Sequence, residues 1–295
     1  MNASIVPKIL VTGATGNNGS ELIKRLSGAG IPVRGMVRKQ PDASYNALPN
    51  VEFITADFAE GGSIRRALEG IESAFLVTNS SERVQEQQLR FVEEARASKL
   101  QRIVYLSQLH ADKDSPVRFL RYHAVIEEAI ASSGIAFTHL RPNLMMQALL
   151  GFRSAIAGEG RLYAPIGQAR VSIVDIRDIA AVAMAALTQD GHEGSTYDLT
   201  GPEALTHQEM AACLSQALGK PVSFVDIAPE AMRKALLSFK VPEWQADGLI
   251  EDYAHYRRGE AADISRAIEQ ITGTPPRTFL TFAQDSAQAF LQSGS

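Results

Sequence analysis

The stretch VTGATGNNGSELIKRL, residues 11–26, constrains the fold of this chain more than any other: an apolar run ends in a glycine turn that leads directly into a helix-forming segment. Gly13, Gly16 and Gly19 recur at G-x-x-G-x-x-G spacing. Each glycine answers a separate steric need. Gly13 permits the sharp turn, Gly16 lets the backbone approach a pyrophosphate, and Gly19 lets the new helix lie close on the strand, while N–H groups at the helix start face the anion. Thr15, Asn17 and Asn18 complete the turn, which is expected to bind a dinucleotide. The spacing differs from the commoner G-x-G-x-x-G, and a lone glycine triplet is a weak signal. Its place as the first turn of an alternating series is what strengthens it.

That series is visible along the first half of the chain. KILVTG (8–13), PVRGMVR (32–38), VEFITAD (51–57), SAFLVTN (73–79), RIVYLSQ (102–108) and AFTHLRP (136–142) read as strands, separated by segments with apolar residues at helical spacing. Alternation of this kind implies βαβ units, and runs such as IVYL fit strands covered on both faces. The expected architecture is α/β: a Rossmann-type doubly wound parallel sheet with a smaller, mainly helical C-terminal lobe. Residues 1–150 are assigned to the nucleotide-binding domain, with 172–200 returning to it through VSIVDIRDIAAVAMAAL and STYDLTG. The remainder of 151–295 forms the second lobe, discontinuously, and is helical apart from a short strand near PVSFVDI.

The end of the second strand discriminates between nicotinamide cofactors. An acid there would accept hydrogen bonds from the adenosine ribose and repel a 2′-phosphate. Here the chain reads GMVRKQ, placing Arg38 and Lys39 at that point with no acid beside them. A guanidinium pairs with phosphate in a bidentate way, so NADP(H) is expected over NAD(H). After the third strand, Asp57 can accept a bond from adenine with Phe58 beside the ring, or can cap the helix starting near Gly61. Thr78 and Asn79 close the fourth strand, at the strand ends where a ligand lies.

Composition narrows the partners. With 295 residues, 45% hydrophobic, and a formal net charge of −4, the chain can bury a large core and carries no basic footprint for nucleic acid. Cys213 is the single cysteine, which excludes an intramolecular disulfide and fits a reducing compartment. A cytoplasmic location is expected, since neither a signal-peptide pattern nor an apolar run of about 18 residues is present. His139, His192, His207 and His255 are scattered without ligand spacing, so no metal is expected. Asp175 and Asp178 in VDIRDIA read as helix-start residues.

VTGATGNNG, MVRK, ADF, SGIAFTHLRPN, VDIRDIAAVA, YDLTGPEALT and GTPPRTF together resemble the NmrA-like family, atypical relatives of the short-chain dehydrogenases. The similarity covers essentially the whole chain. The resemblance implies a nicotinamide-binding protein, in a family that holds bacterial quinone and triphenylmethane-dye reductases as well as redox-sensing regulators. It also implies that LRPN forms the nicotinamide-side loop, with Pro142 stiffening it and Asn143 bonding the carboxamide.

One feature of that wider group is missing. Short-chain dehydrogenases use a Tyr-x-x-x-Lys pair as proton donor and ribose anchor, but Tyr122 is followed by Ile126 and none of the seven tyrosines has a lysine at that offset. By the resemblance His123 stands where isoflavone-reductase-like relatives carry the lysine, and Phe119 where the tyrosine would be. Tyr122, His123 and Ser107 are the catalytic candidates: the nearest phenol, a substitute ribose anchor and a strand-end hydroxyl for a substrate oxygen. His110, in the loop after Ser107, reads as a surface or helix-end residue. A positioned general acid contributes about 10²- to 10⁴-fold. Without one, an acceptor that delocalises incoming charge is favoured over one that builds an alkoxide. The sequence therefore points to a small, planar, apolar acceptor such as a quinone, enone, azo compound or dye, with Met145, Met146 and Phe152 lining an adaptable pocket. A non-catalytic NADP(H) sensor with a regulatory protein partner is the alternative, and a homodimer stays open.

Overall fold

Six short apolar runs form strands where the alternation predicts them. In the computed structural model, which describes residues 7–41 and 48–292, these are β1 (Ile9–Val11), β2 (Val33–Val37), β3 (Val51–Thr55), β4 (Ser73–Leu76), β5 (Arg102–Leu106) and β6 (Ala136–Pro142). The intervening helices are α1 (Asn17–Gly28), α2 (Gly61–Leu68), α3 (Val84–Ala97) and α4 (Arg118–Ala131). Amphipathic spacing explains their docking: α1 buries Leu22, Ile23 and Leu26, and α3 buries Val84, Gln88, Phe91, Val92 and Ala95.

The strands make one seven-stranded parallel sheet of order β3-β2-β1-β4-β5-β6-β9, where β9 is Ser195–Leu199, with helices on both faces. Ile9 lies opposite Val33 on one side and Ser73 on the other. β9 runs with β6, since Gly194 N–H donates to the Phe137 carbonyl at 2.7 Å and Asn143 N–H to the Leu199 carbonyl at 3.0 Å. All of β1 is buried, as befits a central strand covered above and below. Strand order reverses between β1 and β4, so the crevice at their carboxyl ends is the switch point where an open α/β sheet binds ligands.

The chain divides into two compact units: Met1–Lys113, Leu120–Arg141 and Ile179–Tyr197 in the first, and Asp114–Phe119, Pro142–Asp178 and Asp198–Ser295 in the second. The first is built on a core that includes Leu10, Ile64, Leu76, Phe91, Ile103, Tyr105 and Ile126. The second has its own core, including Met146, Ile156, Leu162, Met210, Tyr256, Phe279, Phe282 and Phe290. Its elements are a 3₁₀ turn over Met146–Phe152, α5 (Arg153–Glu159), β7 (Arg161–Ala164), β8 (Arg170–Val171), the start of α6 (Ile176–Thr188), β10 (Leu205–Thr206) and α7 (His207–Leu218). β11 (Ser223–Asp226), α8 (Pro229–Ser238), α9 (Glu243–Arg257), α10 (Ala267–Thr272), α11 (Phe279–Asp285) and α12 (Ala287–Leu291) follow.

The expected return to the sheet is shorter than the sequence suggests. VSIVD was expected to rejoin it as a strand, but only Arg170–Val171 is strand, and it pairs antiparallel with β10. The backbone beyond it is held elsewhere in the second unit: Ser172 N–H donates to the Ala261 carbonyl and Val174 N–H to that of Leu144. The sheet is rejoined only by β9. Local signals hold well in this region, as in the capping box of α7. The Glu209 N–H donates to the Thr206 hydroxyl at 3.1 Å, and the Thr206 N–H donates to the Glu209 carboxylate at 2.8 Å. Among the described residues, no helix is long and apolar enough to cross a membrane.

Candidate functional site

The site starts with a hydroxyl that no motif announces. Thr12, fully buried at the end of β1, donates to the Val77 carbonyl and accepts from the Val77 N–H, each at 2.8 Å, which clamps the exit of β1 to that of β4. Gly13 then turns the chain with φ +56°, a left-handed conformation that disfavours side chains. A Cβ at Gly19 would lie 2.2 Å from the Gly13 carbonyl oxygen, so only glycine lets α1 pack this close to the strand. Gly16 is the N-cap of α1, no side chain caps that helix, and no acid lies in its first turn. Thr15, Gly16 and Asn17 are exposed and Asn18 is half-buried. The first-turn N–H groups and the positive end of the helix therefore form a cradle that fits a pyrophosphate.

One strand away, Arg38 and Lys39 are exposed immediately after β2, and neither forms an ion pair among the described residues. A guanidinium so placed is available to a phosphate. Asp57 follows β3, where its carboxylate accepts from the Ala59 N–H at 2.8 Å. It shapes that turn and does not cap α2. That helix has Glu60 as N-cap, and the Ser63 hydroxyl ties the turn together by accepting from the Asp57 N–H and donating to the Glu60 carbonyl. Phe58 is half-buried with its ring 5.9 Å from that of Phe91. Asn79 is exposed beyond β4, beside Thr78.

Thr78 opens a network that the sequence reading missed. Gln88 Nε2 donates to the Thr78 hydroxyl at 2.8 Å, the Tyr105 hydroxyl donates to Gln88 Oε1 at 2.9 Å, and the same hydroxyl meets His123 Nδ1 at 2.7 Å. Burial raises the Tyr105 phenol well above its ordinary value. His123 is 9% exposed, and burial, with a smaller contribution from the Arg141 guanidinium, pushes it down to about 3. Its ring is therefore neutral. The Tyr122 ring lies 4.2 Å from that of His123, and its hydroxyl is 3.2 Å from that of Ser80.

Two signals were available for this network. Gln88 sits on the same helical stripe as Val84, Phe91, Val92 and Ala95, a polar residue on an apolar face. Tyr105 brings a hydroxyl into the otherwise apolar RIVYL strand.

The remaining candidates separate. Ser107, just past β5, is 4% exposed, and its hydroxyl has no hydrogen-bond partner among the described residues. His110 is half-buried in the following loop, with φ +62°. Phe119 belongs to the second unit, with its ring 5.5 Å from that of Trp244. Pro142 is buried at the end of β6. Asn143 is held by its own neighbours: its amide nitrogen donates to the Ser172 hydroxyl and the Ala261 carbonyl, and its oxygen accepts from the Leu144 N–H. Both amide protons are thus committed inside the second unit. Met146 is likewise core packing, fully buried; Met145 and Phe152 are half-buried, Phe152 against that core. Asp175 accepts from the Arg177 N–H at the start of α6, the structural part expected of it.

Known proteins resemble this chain in sequence and fold. An NAD(P)H azoreductase of Xenophilus azovorans is 36% identical over 282 residues, 96% of this chain and 99% of that protein. An NADPH-dependent quinone oxidoreductase of Escherichia coli, solved with NADPH, superposes with a TM-score of 0.84 at 27% identity, over 94% of this chain and 99% of its own. A triphenylmethane reductase of Citrobacter sp., solved with NADP(H), gives 0.83 at 27% identity, over 95% and 99%. The model of the NmrA-like family matches residues 7–274. The chain belongs to the NmrA-like family.

Proposed function

We propose that this protein is an NAD(P)H-dependent oxidoreductase that prefers NADPH and reduces flat, conjugated acceptors of the quinone, enone, azo or dye type. The observation that carries the reading is the glycine cradle at the β1/β4 switch point, with the exposed Arg38 one strand away. The similarity to reductases named for azo, quinone and dye acceptors supports the acceptor class.

The cradle and α1 hold the pyrophosphate, Arg38 and Lys39 hold the 2′-phosphate, and Asp57 keeps a carboxylate at the adenine end. When bound, the dinucleotide supplies a hydride. His123, neutral and fixed through Tyr105, stands as a hydrogen-bond partner for a ribose hydroxyl but brings no positive charge to activate a phenol. Ser107 presents an otherwise unpartnered hydroxyl for an acceptor oxygen or nitrogen. Neither the neutral His123 ring nor the Ser107 hydroxyl is a strong acid, so protonation of the reduced acceptor falls to water, which an acceptor with delocalised charge tolerates.

The test is steady-state oxidation of NADPH with a panel of quinones, azo compounds, enones and cationic dyes. Turnover on one or more of these classes is expected. The neutral His123 also suits a protein that only senses NADP(H). Failure with every acceptor, together with protection from proteolysis by NADPH, would replace the reductase reading with that one.

A further inference from the structure

The hydrogen-bonded chain Thr78–Gln88–Tyr105–His123 has a direction. A phenol carries one proton, and a side-chain amide donates only through nitrogen and accepts only through oxygen. Gln88 Nε2 faces Thr78, which leaves Oε1 for Tyr105, so the phenol proton lies toward Gln88. The Tyr105 oxygen must then accept from His123, and the proton of the neutral imidazole must sit on Nδ1. The opposite polarity would need the amide turned over, with the Thr78 hydroxyl and Gln88 Nε2 both donating inward along the chain.

We propose that Gln88 and Tyr105 are positioning residues that fix His123 as its Nδ1–H tautomer, so that Nε2 presents a lone pair as acceptor to a ribose hydroxyl of the bound dinucleotide. The ribose part rests on the reading under Proposed function; the tautomer part does not. A lysine donates at this point, whereas the histidine accepts, so the hydroxyl must turn its proton toward the protein. The same polarity leaves the Thr78 hydroxyl, which accepts from Gln88, with its own proton directed outward as a donor. A neutral amide does not relay protons without turning over, so the network orients groups and does not deliver a proton to the acceptor. Buried networks of this kind hold their members in place because an unpaired polar group inside the protein is costly.

The groups packed around His123 agree with a neutral ring. Tyr122 lies against one side of it, Tyr105 is tilted at 5.7 Å between centroids, and the neighbouring charge of Arg141 opposes protonation. Arg141 itself is held by Glu127 in a two-pronged pair at 2.9 and 2.5 Å.

The experiment uses the full chain labelled with ¹⁵N-histidine, with the His123 signals assigned by comparison with His123→Asn. Long-range ¹H–¹⁵N spectra are expected to show a protonated Nδ1 and a bare Nε2, the latter moving upfield when NADPH is added. In Tyr105→Phe the single tautomer should be lost and the dissociation constant for NADPH should rise about 3- to 10-fold, the worth of one hydrogen bond. Gln88→Glu, whose carboxylate still accepts from Tyr105, should keep the Nδ1–H form and so provides a check if the phenylalanine variant fails to fold. A wild-type ring protonated on Nε2, or a folded Tyr105→Phe with unchanged tautomer, would overturn the proposal. Absence of any NADPH effect in a protein that shows the expected tautomer would overturn the ribose role and the cofactor reading, leaving the tautomer assignment standing.

Discussion

Gly19 sits directly on Gly13: a Cβ at the first would come within 2.2 Å of the carbonyl oxygen of the second, and within 2.7 Å of its carbonyl carbon. Both obstacles are backbone, so neither can swing aside. Gly19→Ala must therefore push α1 away from β1 and disperse the N–H groups that face the phosphates. Overpacking of this kind costs about 1–3 kcal/mol. A lower thermal midpoint and at least a roughly tenfold loss of NADPH affinity are expected, readable by calorimetric titration and a melting curve. An affinity equal to wild type would show that the close approach does not serve the cofactor.

Arg38 carries the predicted choice between cofactors. It is exposed after β2, so its removal should leave the fold intact. A charge-assisted hydrogen bond is worth about 1.5–3 kcal/mol, so Arg38→Ala should weaken NADPH about 10- to 100-fold and leave NADH unchanged. Equal losses for both dinucleotides would assign the arginine to the shared part of the cofactor.

Ser107 tests acceptor contact separately from stability. Its buried hydroxyl lacks a hydrogen-bond partner among the described residues, so Ser107→Ala relieves an unsatisfied group and should hold or raise the melting temperature. If the hydroxyl meets the acceptor, kcat/KM should fall by roughly tenfold, about the effect of one lost hydrogen bond, while NADPH affinity stays constant. Unchanged turnover would remove Ser107 from the site.

Three of the buried histidines, His123, His139 and His207, give the protein a predictable acid limit. Burial lowers His123 to about 3, and His139 and His207 each to about 4, against about 6.5 in the unfolded chain. Above pH 6.5 both states are neutral and the full stability is present. As pH falls from there toward 4, only the unfolded chain takes up these protons, so stability is lost at about 1.4 kcal/mol per pH unit for each ring. Denaturant midpoints measured between pH 7.5 and 5 should therefore drop steeply. His207→Leu should remove one of these three equal contributions and so flatten the slope by about 1.4 kcal/mol per pH unit. A flat profile for the wild type over that range would contradict the buried, neutral assignment.

The sequence made the glycine turn legible and left the network at His123 hidden, for physical reasons. Glycine spacing and strand-helix alternation are local, and they located β1 to β6 and the turn at Gly13. The Thr206–Glu209 capping box lies within four residues of chain. The network at His123 instead joins Thr78 just after β4 with residues from α3, β5 and α4, separated by 10 to 18 positions along its links, and no local pattern reports on such pairings. The partners of Asn143 are hidden for a similar reason: Ala261 lies 118 residues away. Met146 illustrates a further limit, since an apolar residue on a helical turn reads alike whether it lines a pocket or fills a core.

Calorimetric titration of the purified protein with NADPH, NADP⁺ and NADH tests the central claim most directly. Binding at one site per chain is expected, tighter for the phosphorylated dinucleotides, with that preference abolished in Arg38→Ala. Absence of binding heat with all three, at temperatures chosen so that a cancelling enthalpy is avoided, would contradict it.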